Sequence, residues 1–257
     1  MSDETQEPFI SHLIELRSRL IRSIIAVLAV FLCLVNWARD IYSLLAQPML
    51  AALPQGGHMI ATDVAGAFFV PMKVTLMLSF LIALPYVLYQ AWSFVAPGLY
   101  AKERKMTAPL LVASVMLFFC GMSFAFFVVF PTVFTFVNKF APEGVSVMTD
   151  IDKYLTFVLT TFLAFGMTFE VPVIVIVLVK AGIVSIAKLK EVRSYVIVGA
   201  FVISAIFTPP DVLSQFLMAI PLCLLYEAGI IAASIMVKSQ RGSTSESASL
   251  TTTDAPK

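Results

Sequence analysis

Between Lys105 and Lys139 the chain carries no charged side chain. A helix rising 1.5 Å per residue needs roughly 20 apolar residues to cross a hydrocarbon core about 30 Å thick. The uncharged run therefore predicts a membrane span over residues 109–137, with Pro131 marking a kink or an end. Runs of the same character cover 20–38, 68–92, 154–179 and 212–235, and a shorter one covers 195–207. Between the last two stand Thr208, Pro209, Pro210 and Asp211, a helix breaker because proline lacks an N–H and restricts the residue before it. The pattern predicts six helices. The fifth apolar segment, at 13 residues, gives only about 20 Å of helix. Either the bilayer thins or a partner covers the helix there, or its boundary takes residues from the basic loop before it.

Composition agrees and excludes other classes. Hydrophobic residues make up 60% and charged residues 13%, with a mean hydropathy of +0.94, where soluble proteins carry about 25% charged residues. Too little polar surface exists to cover a water-soluble globule. A net charge of +1 supplies no basic field for nucleic acid. Cys33, Cys120 and Cys223 are scattered through apolar runs, and His12 and His58 are far apart. Neither set has ligand or disulfide spacing, so no metal and no cofactor is expected. No nucleophile–base constellation can be assembled, and no Walker motif is present. The expected class is an all-α integral membrane protein that is not an enzyme.

Loop charges orient it. Arg17, Arg19 and Arg22, then Lys102, Arg104 and Lys105, then Lys180, Lys188, Lys190 and Arg193, and finally Lys238, Arg241 and Lys257 fall on one side, thirteen in all. Arg39, Lys139 and Lys153 are the three on the other side, with Lys73 inside a span. Both termini are expected in the cytoplasm. The acidic start Asp3, Glu4 and Glu7 and the five spans that follow argue for a retained first helix rather than a cleaved signal. The absence of transit-peptide composition favours a bacterial plasma membrane. Residues 1–237 read as one membrane domain and 238–257, rich in Ser and Thr, as a disordered cytoplasmic tail.

Several polar positions could carry function. Glu170 lies inside the fourth span beside Pro172, where an unpaired carboxylate costs several kcal/mol. It is either a neutral acid bonded to a neighbouring helix or a polar point on a groove. Phe9, Leu13, Leu16 and Leu20 recur at helical spacing and suggest an amphipathic helix lying on or entering the cytoplasmic face. Glu15 could pair within that helix with Arg19, and Glu103 could be neutralised by Lys102, Arg104 and Lys105. Glu227, nearer the cytoplasmic end, could snorkel, as could Lys73 at the outer end. Ile41, Leu44 and Leu45 suggest an outer interfacial helix ending near Pro48.

The same positions carry a resemblance. The run His12, Leu13, Ile14, Glu15, Leu16, Arg17 precedes the first span, and Phe94, Val95, Ala96, Pro97, Gly98, Leu99, Tyr100 with Glu103 fill the first cytoplasmic loop. With the blocks at 165–172 and 208–211, their order and spacing over nearly the whole chain resemble the TatC family. That family is the multi-spanning receptor subunit of the twin-arginine protein translocase. The resemblance implies a concave, cupped bundle of six helices, the last two short. It implies binding of Arg-Arg signal peptides of folded cargo by Glu15 and Glu103, with Phe94, Arg17 and Arg19 contributing to the patch. It places Glu170 on an intramembrane groove and makes Thr208 and Gln215 a docking site for single-span TatA- and TatB-type partners. It also makes Pro48 and Asp211 outer-face supports, and it implies transport driven by the proton-motive force, with self-association in a receptor complex. The competing reading from the residues alone is an ion-coupled small-solute transporter with Glu170 titrating in its cavity.

Overall fold

The computed structural model describes residues 6–51, 62–63, 65–95, 104–140, 150–208 and 211–251. Nearly all of them are helical. Helix α1 spans Gln6–Leu34, and a 3₁₀ turn, Val35–Trp37, leads into α2, Ala38–Ala51. The segment beginning at Phe9 is thus not a separate surface helix; it runs straight into the first span, because no proline or glycine between 9 and 34 interrupts it. Helix α2 ends at Ala51, near Pro48 as expected.

Helix α3, Gly66–Val95, forms the second span with Pro71 and Pro85 inside it. Helix α4, Arg104–Phe124, passes through a π-helical stretch, Ala125–Val129, into α5, Phe130–Phe140. Pro131 cannot donate to the carbonyl four residues back, and the widened turn lies immediately before it. The fourth span is likewise two helices, α6 (Ile151–Phe169) and α7 (Val171–Lys180), meeting at Glu170. A short helix α8, Ile186–Glu191, precedes α9, Arg193–Phe207, and α10 begins at Val212 and continues to Thr251. Helix α10 runs past residue 238 to Thr251, and residues 252–257 of the expected tail lie outside the described residues.

Among the described residues five helical segments are long and apolar enough to cross a membrane: Leu13–Leu44, Phe68–Phe94, Ala108–Phe136, Ile151–Lys180 and Val212–Lys238. The sixth apolar helix, Arg193–Phe207, has 15 residues, two more than its apolar run because Arg193 and Ser194 join its first turn. At about 22 Å it is still short of a full crossing.

Lipid tails are as apolar as leucine, so close packing rather than water exclusion must hold such helices together. Helix α1 packs chiefly on α3, α3 on α4 and α6, α4 on α6, α7 on α10, and α10 on α9. The helices α3, α4 and α6 pack mutually, with α1 against α3 on one flank and α9 reached through α10 on the other. Small residues allow its closest approaches. A Cβ on Gly121 would collide with the Phe165 carbonyl, and one on Gly229 would lie 2.9 Å from the Pro172 Cα. Phe165, Ala125, Val129, Val133, Ala164 and Met218 form one buried cluster between α6, α10 and the π turn.

Candidate functional site

At the amino-terminal end of the first span, Arg19 turns back on Glu15 one helical turn away. Its Nε and Nη2 both donate to Glu15 Oε1, at 2.9 and 2.6 Å. The intrahelical pair weighed from the sequence therefore exists, but it has a third member. Arg19 Nη1 donates to Gln90 Oε1 of α3 at 3.3 Å, and Gln90 Nε2 donates to the Tyr86 hydroxyl at 2.8 Å. Phe94 lies four residues beyond Gln90, hence on the same face of α3 one turn further on, and is half-buried. The structure so brings Glu15, Arg19 and the Phe94 end of α3 to one region; Arg17, two positions along α1 from each member of the pair and so off their face, is exposed. Glu103 lies outside the described residues. Gln90 and Tyr86 escaped the sequence reading; a lone amide inside an otherwise apolar span was the signal that could have found Gln90.

The second site is buried. Pro172 at the second position of α7 withholds a backbone N–H, and the fourth span breaks at Glu170, which caps both α6 and α7. Glu170 is 6% exposed. Ser114 Oγ of α4 donates to Glu170 Oε2 at 2.7 Å, and Trp92 Nε1 of α3 donates to Ser114 Oγ at 2.8 Å. The indole has no acceptor role, so the chain has one direction: Trp92 to Ser114 to Glu170. Among the described residues Glu170 Oε1 has no partner. Burial and the bond to α4 match the reading of an acid held by a neighbouring helix. The free oxygen keeps a second valence for another donor.

The outer ends carry the remaining candidates. Lys73 is not a solitary snorkelling cation, for its Nζ meets Asp152 Oδ1 at 2.6 Å. Asp150 caps α6 by accepting from the backbone of Asp152 and Lys153. The Thr62 hydroxyl also donates to it. That hydroxyl first, then the backbone N–H groups, hold the Asp150 carboxyl below its ordinary range, since each stabilises the charged form. Asp211 Oδ1 accepts from Ser214 N at 2.7 Å, an N-cap for α10. Pro48 lies within α2. Thr208 donates its hydroxyl to the Ser204 carbonyl at 2.7 Å and lines an open cavity of about 410 Å³ with Asp152, Lys153, Thr156, Phe157, Thr160 and Phe207. Gln215 faces elsewhere, donating to the Phe201 carbonyl at 3.1 Å and tying α10 to α9. The structure thus separates the side-chain roles of Thr208 and Gln215. Glu227 accepts from Arg193 Nη2 at 2.7 Å, so it is paired across helices and does not snorkel alone.

Among the described residues no cluster of His, Cys, Asp or Glu could hold a metal ion. Fold and site together define a multi-spanning helical membrane protein with polar groups paired between its helices. Comparison with known proteins then supplies the family. The family model described as Sec-independent protein translocase protein (TatC) matches residues 11–221. The Sec-independent protein translocase protein TatC of Escherichia coli (strain K12) is 54% identical over 230 residues, covering 90% of this chain and 89% of that protein. The protein of that name from Aquifex aeolicus (strain VF5) is 39% identical, covering 91% and 98%. A crystal structure of the twin-arginine translocase receptor TatC superposes with a TM-score of 0.76 at 41% identity, covering 87% of this chain and 98% of that one. The chain belongs to the TatC family.

Proposed function

We propose that this chain is the receptor and assembly core of a twin-arginine translocase in the bacterial plasma membrane, with both termini cytoplasmic. It recognises folded cargo by the paired arginines of the signal peptide, and Glu15 and Glu103 are the carboxylates that receive them. The observation that carries this reading is the placement of Glu15: a carboxylate of α1 near the start of the first span, engaged with the guanidinium of Arg19, which in turn reaches Gln90 on the face of α3 that leads to Phe94. A planar guanidinium fork can place two parallel N–H bonds on one carboxylate, whereas an ammonium offers a point charge. A site built on two carboxylates therefore prefers Arg-Arg over Lys-Lys. Phe94 packs against the apolar part of the signal, while Arg17 and Arg19 shape the patch around it.

In the same reading Glu170, with one oxygen free, is the polar point of an intramembrane groove. Single-span TatA- and TatB-type subunits dock near Thr208 and Gln215, beside bilayer thinned by the short α9. Pro48 and Asp211 support the outer face, copies of the receptor associate with one another, and the proton-motive force drives export. Thr208 on an open cavity and Asp211 at a helix cap are compatible with these roles.

The test is binding of a twin-arginine signal peptide to the purified protein against its Lys-Lys twin. The expected preference is roughly tenfold or more, lost in Glu15→Gln and in Glu103→Gln. Equal binding of the two peptides to folded protein would remove the two-carboxylate site.

A further inference from the structure

We propose that Arg19 is a built-in competitor for the signal peptide: it occupies Glu15 in the unliganded protein and is released from it, while retained on Gln90, when a signal arginine arrives. The inference rests on the reading of Glu15 as a signal-binding carboxylate. Its grounds are the geometry of three side chains. Arg19 places Nε and Nη2 on a single oxygen, Oε1, and an incoming guanidinium that pairs in parallel with both carboxylate oxygens needs that same Oε1. Nη1 is meanwhile held by Gln90 Oε1. Gln90 is only 5% exposed, and its amide is oriented by the bond to Tyr86, which turns the carbonyl oxygen toward Arg19. An ordinary exposed pair four residues apart has no such third anchor.

This anchor gives the competitor a place to stay. When the carboxylate is taken, the Arg19 guanidinium keeps a neutral acceptor and need not be driven away. A ligand must nevertheless recover the bonds that Arg19 gives up. A guanidinium recovers them with two parallel bonds, and an ammonium does not. Arg19 also adds positive charge beside the site, which penalises every incoming cation and leaves the recovery of bonds to tell them apart. It therefore weakens both peptides and weakens the Lys-Lys peptide more, so selectivity is raised at a cost in affinity.

The experiment measures binding of Arg-Arg and Lys-Lys signal peptides to the full chain, purified and folded, in wild-type and variant forms. Arg19→Gln is expected to tighten Arg-Arg binding about two- to fivefold, the range of a partly exposed ion pair. Lys-Lys binding should tighten by a larger factor, so that the ratio narrows. Arg19→Lys should fall between the two. Gln90→Leu acts in the opposite direction: with its retaining acceptor gone, Arg19 stays on Glu15 and Arg-Arg binding weakens. Adding Arg19→Gln to Gln90→Leu should restore tight binding, which a merely structural role for Gln90 would not allow. Unchanged or weaker Arg-Arg binding in Arg19→Gln, with Glu15→Gln still abolishing it, overturns the competitor. If Glu15→Gln binds as wild type, the signal-site reading itself has failed and the competitor falls with it.

Discussion

Among the described residues Glu170 has one carboxylate oxygen bonded and one without a partner, and the bonded one depends on a serine that depends on a tryptophan. Removing the middle member orphans both neighbours. Ser114→Ala leaves the Trp92 N–H without an acceptor and Glu170 Oε2 without a donor, a loss of about 1–3 kcal/mol for buried groups. A lower unfolding midpoint in detergent is expected, and Trp92→Phe should add little to it in that background because the two act through one chain. Glu170→Ala separates two roles: transport should fall more than the amount of folded protein, while loss of the folded protein itself would assign the acid to packing. From sequence, Glu170 is conspicuous because charge inside a span is expensive. Ser114 and Trp92 are not, because a serine inside an apolar helix usually bonds its own backbone, as Ser79 and Ser204 do here. Which serine instead reaches another helix is decided by how α3, α4 and α6 pack, and no periodicity records that. The Glu15–Arg19 pair was legible from spacing; its third partner, 71 positions away along the chain from Arg19, was not.

Helices are the scale at which glycine and proline decide the architecture. The apolar runs locate the spans well, since length and hydropathy alone define what can cross a bilayer. Where a span breaks is less legible. Pro172 splits the fourth span at Glu170, whereas Pro71 and Pro85 leave α3 a single helix. Gly229 lets α10 lie directly against Pro172 of α7. Gly229→Val would press its side chain into backbone, which cannot yield as a side-chain tip can, and overpacking of this kind costs about 1–3 kcal/mol. Its unfolding midpoint should fall, while Gly199→Ala, with open space around the added Cβ, should leave the midpoint near wild type. The start of α6 predicts a pH response. Asp150 is held charged by Thr62 and two backbone N–H groups, so its carboxyl is lowered in the folded protein relative to the unfolded one. The cap's contribution is therefore full above the ordinary carboxylate range and disappears as pH falls through the depressed folded value. Titration of Asp150 followed by NMR should place its midpoint below that of an unfolded aspartate, and Thr62→Val should move it back up.

Across the whole molecule, side-chain pairs and loop charges give two separate accounts of which ends lie together. The Lys73–Asp152 pair joins the beginnings of α3 and α6, so these ends share one side. Arg19 and Gln90 join the early part of α1 to the late part of α3, on the opposite side from that pair. Arg193 at the start of α9 reaches Glu227 well along α10, consistent with α9 rising from the side to which α10 returns. The alternation matches the one obtained by counting Lys and Arg in the loops, although the contacts involve mostly different residues. Relative sidedness therefore follows from packing, and absolute sidedness only from the thirteen-to-three excess of basic residues. Reporters fused at the amino terminus and after residue 251 should both score cytoplasmic, and one inserted between 141 and 149 should score on the outer side. Two inverted termini would reverse the charge argument yet leave the helix pairing intact. Termini on opposite sides would break the pairing as well, because an odd number of crossings cannot place the starts of α3 and α6 together while α10 returns to the side from which α1 set out.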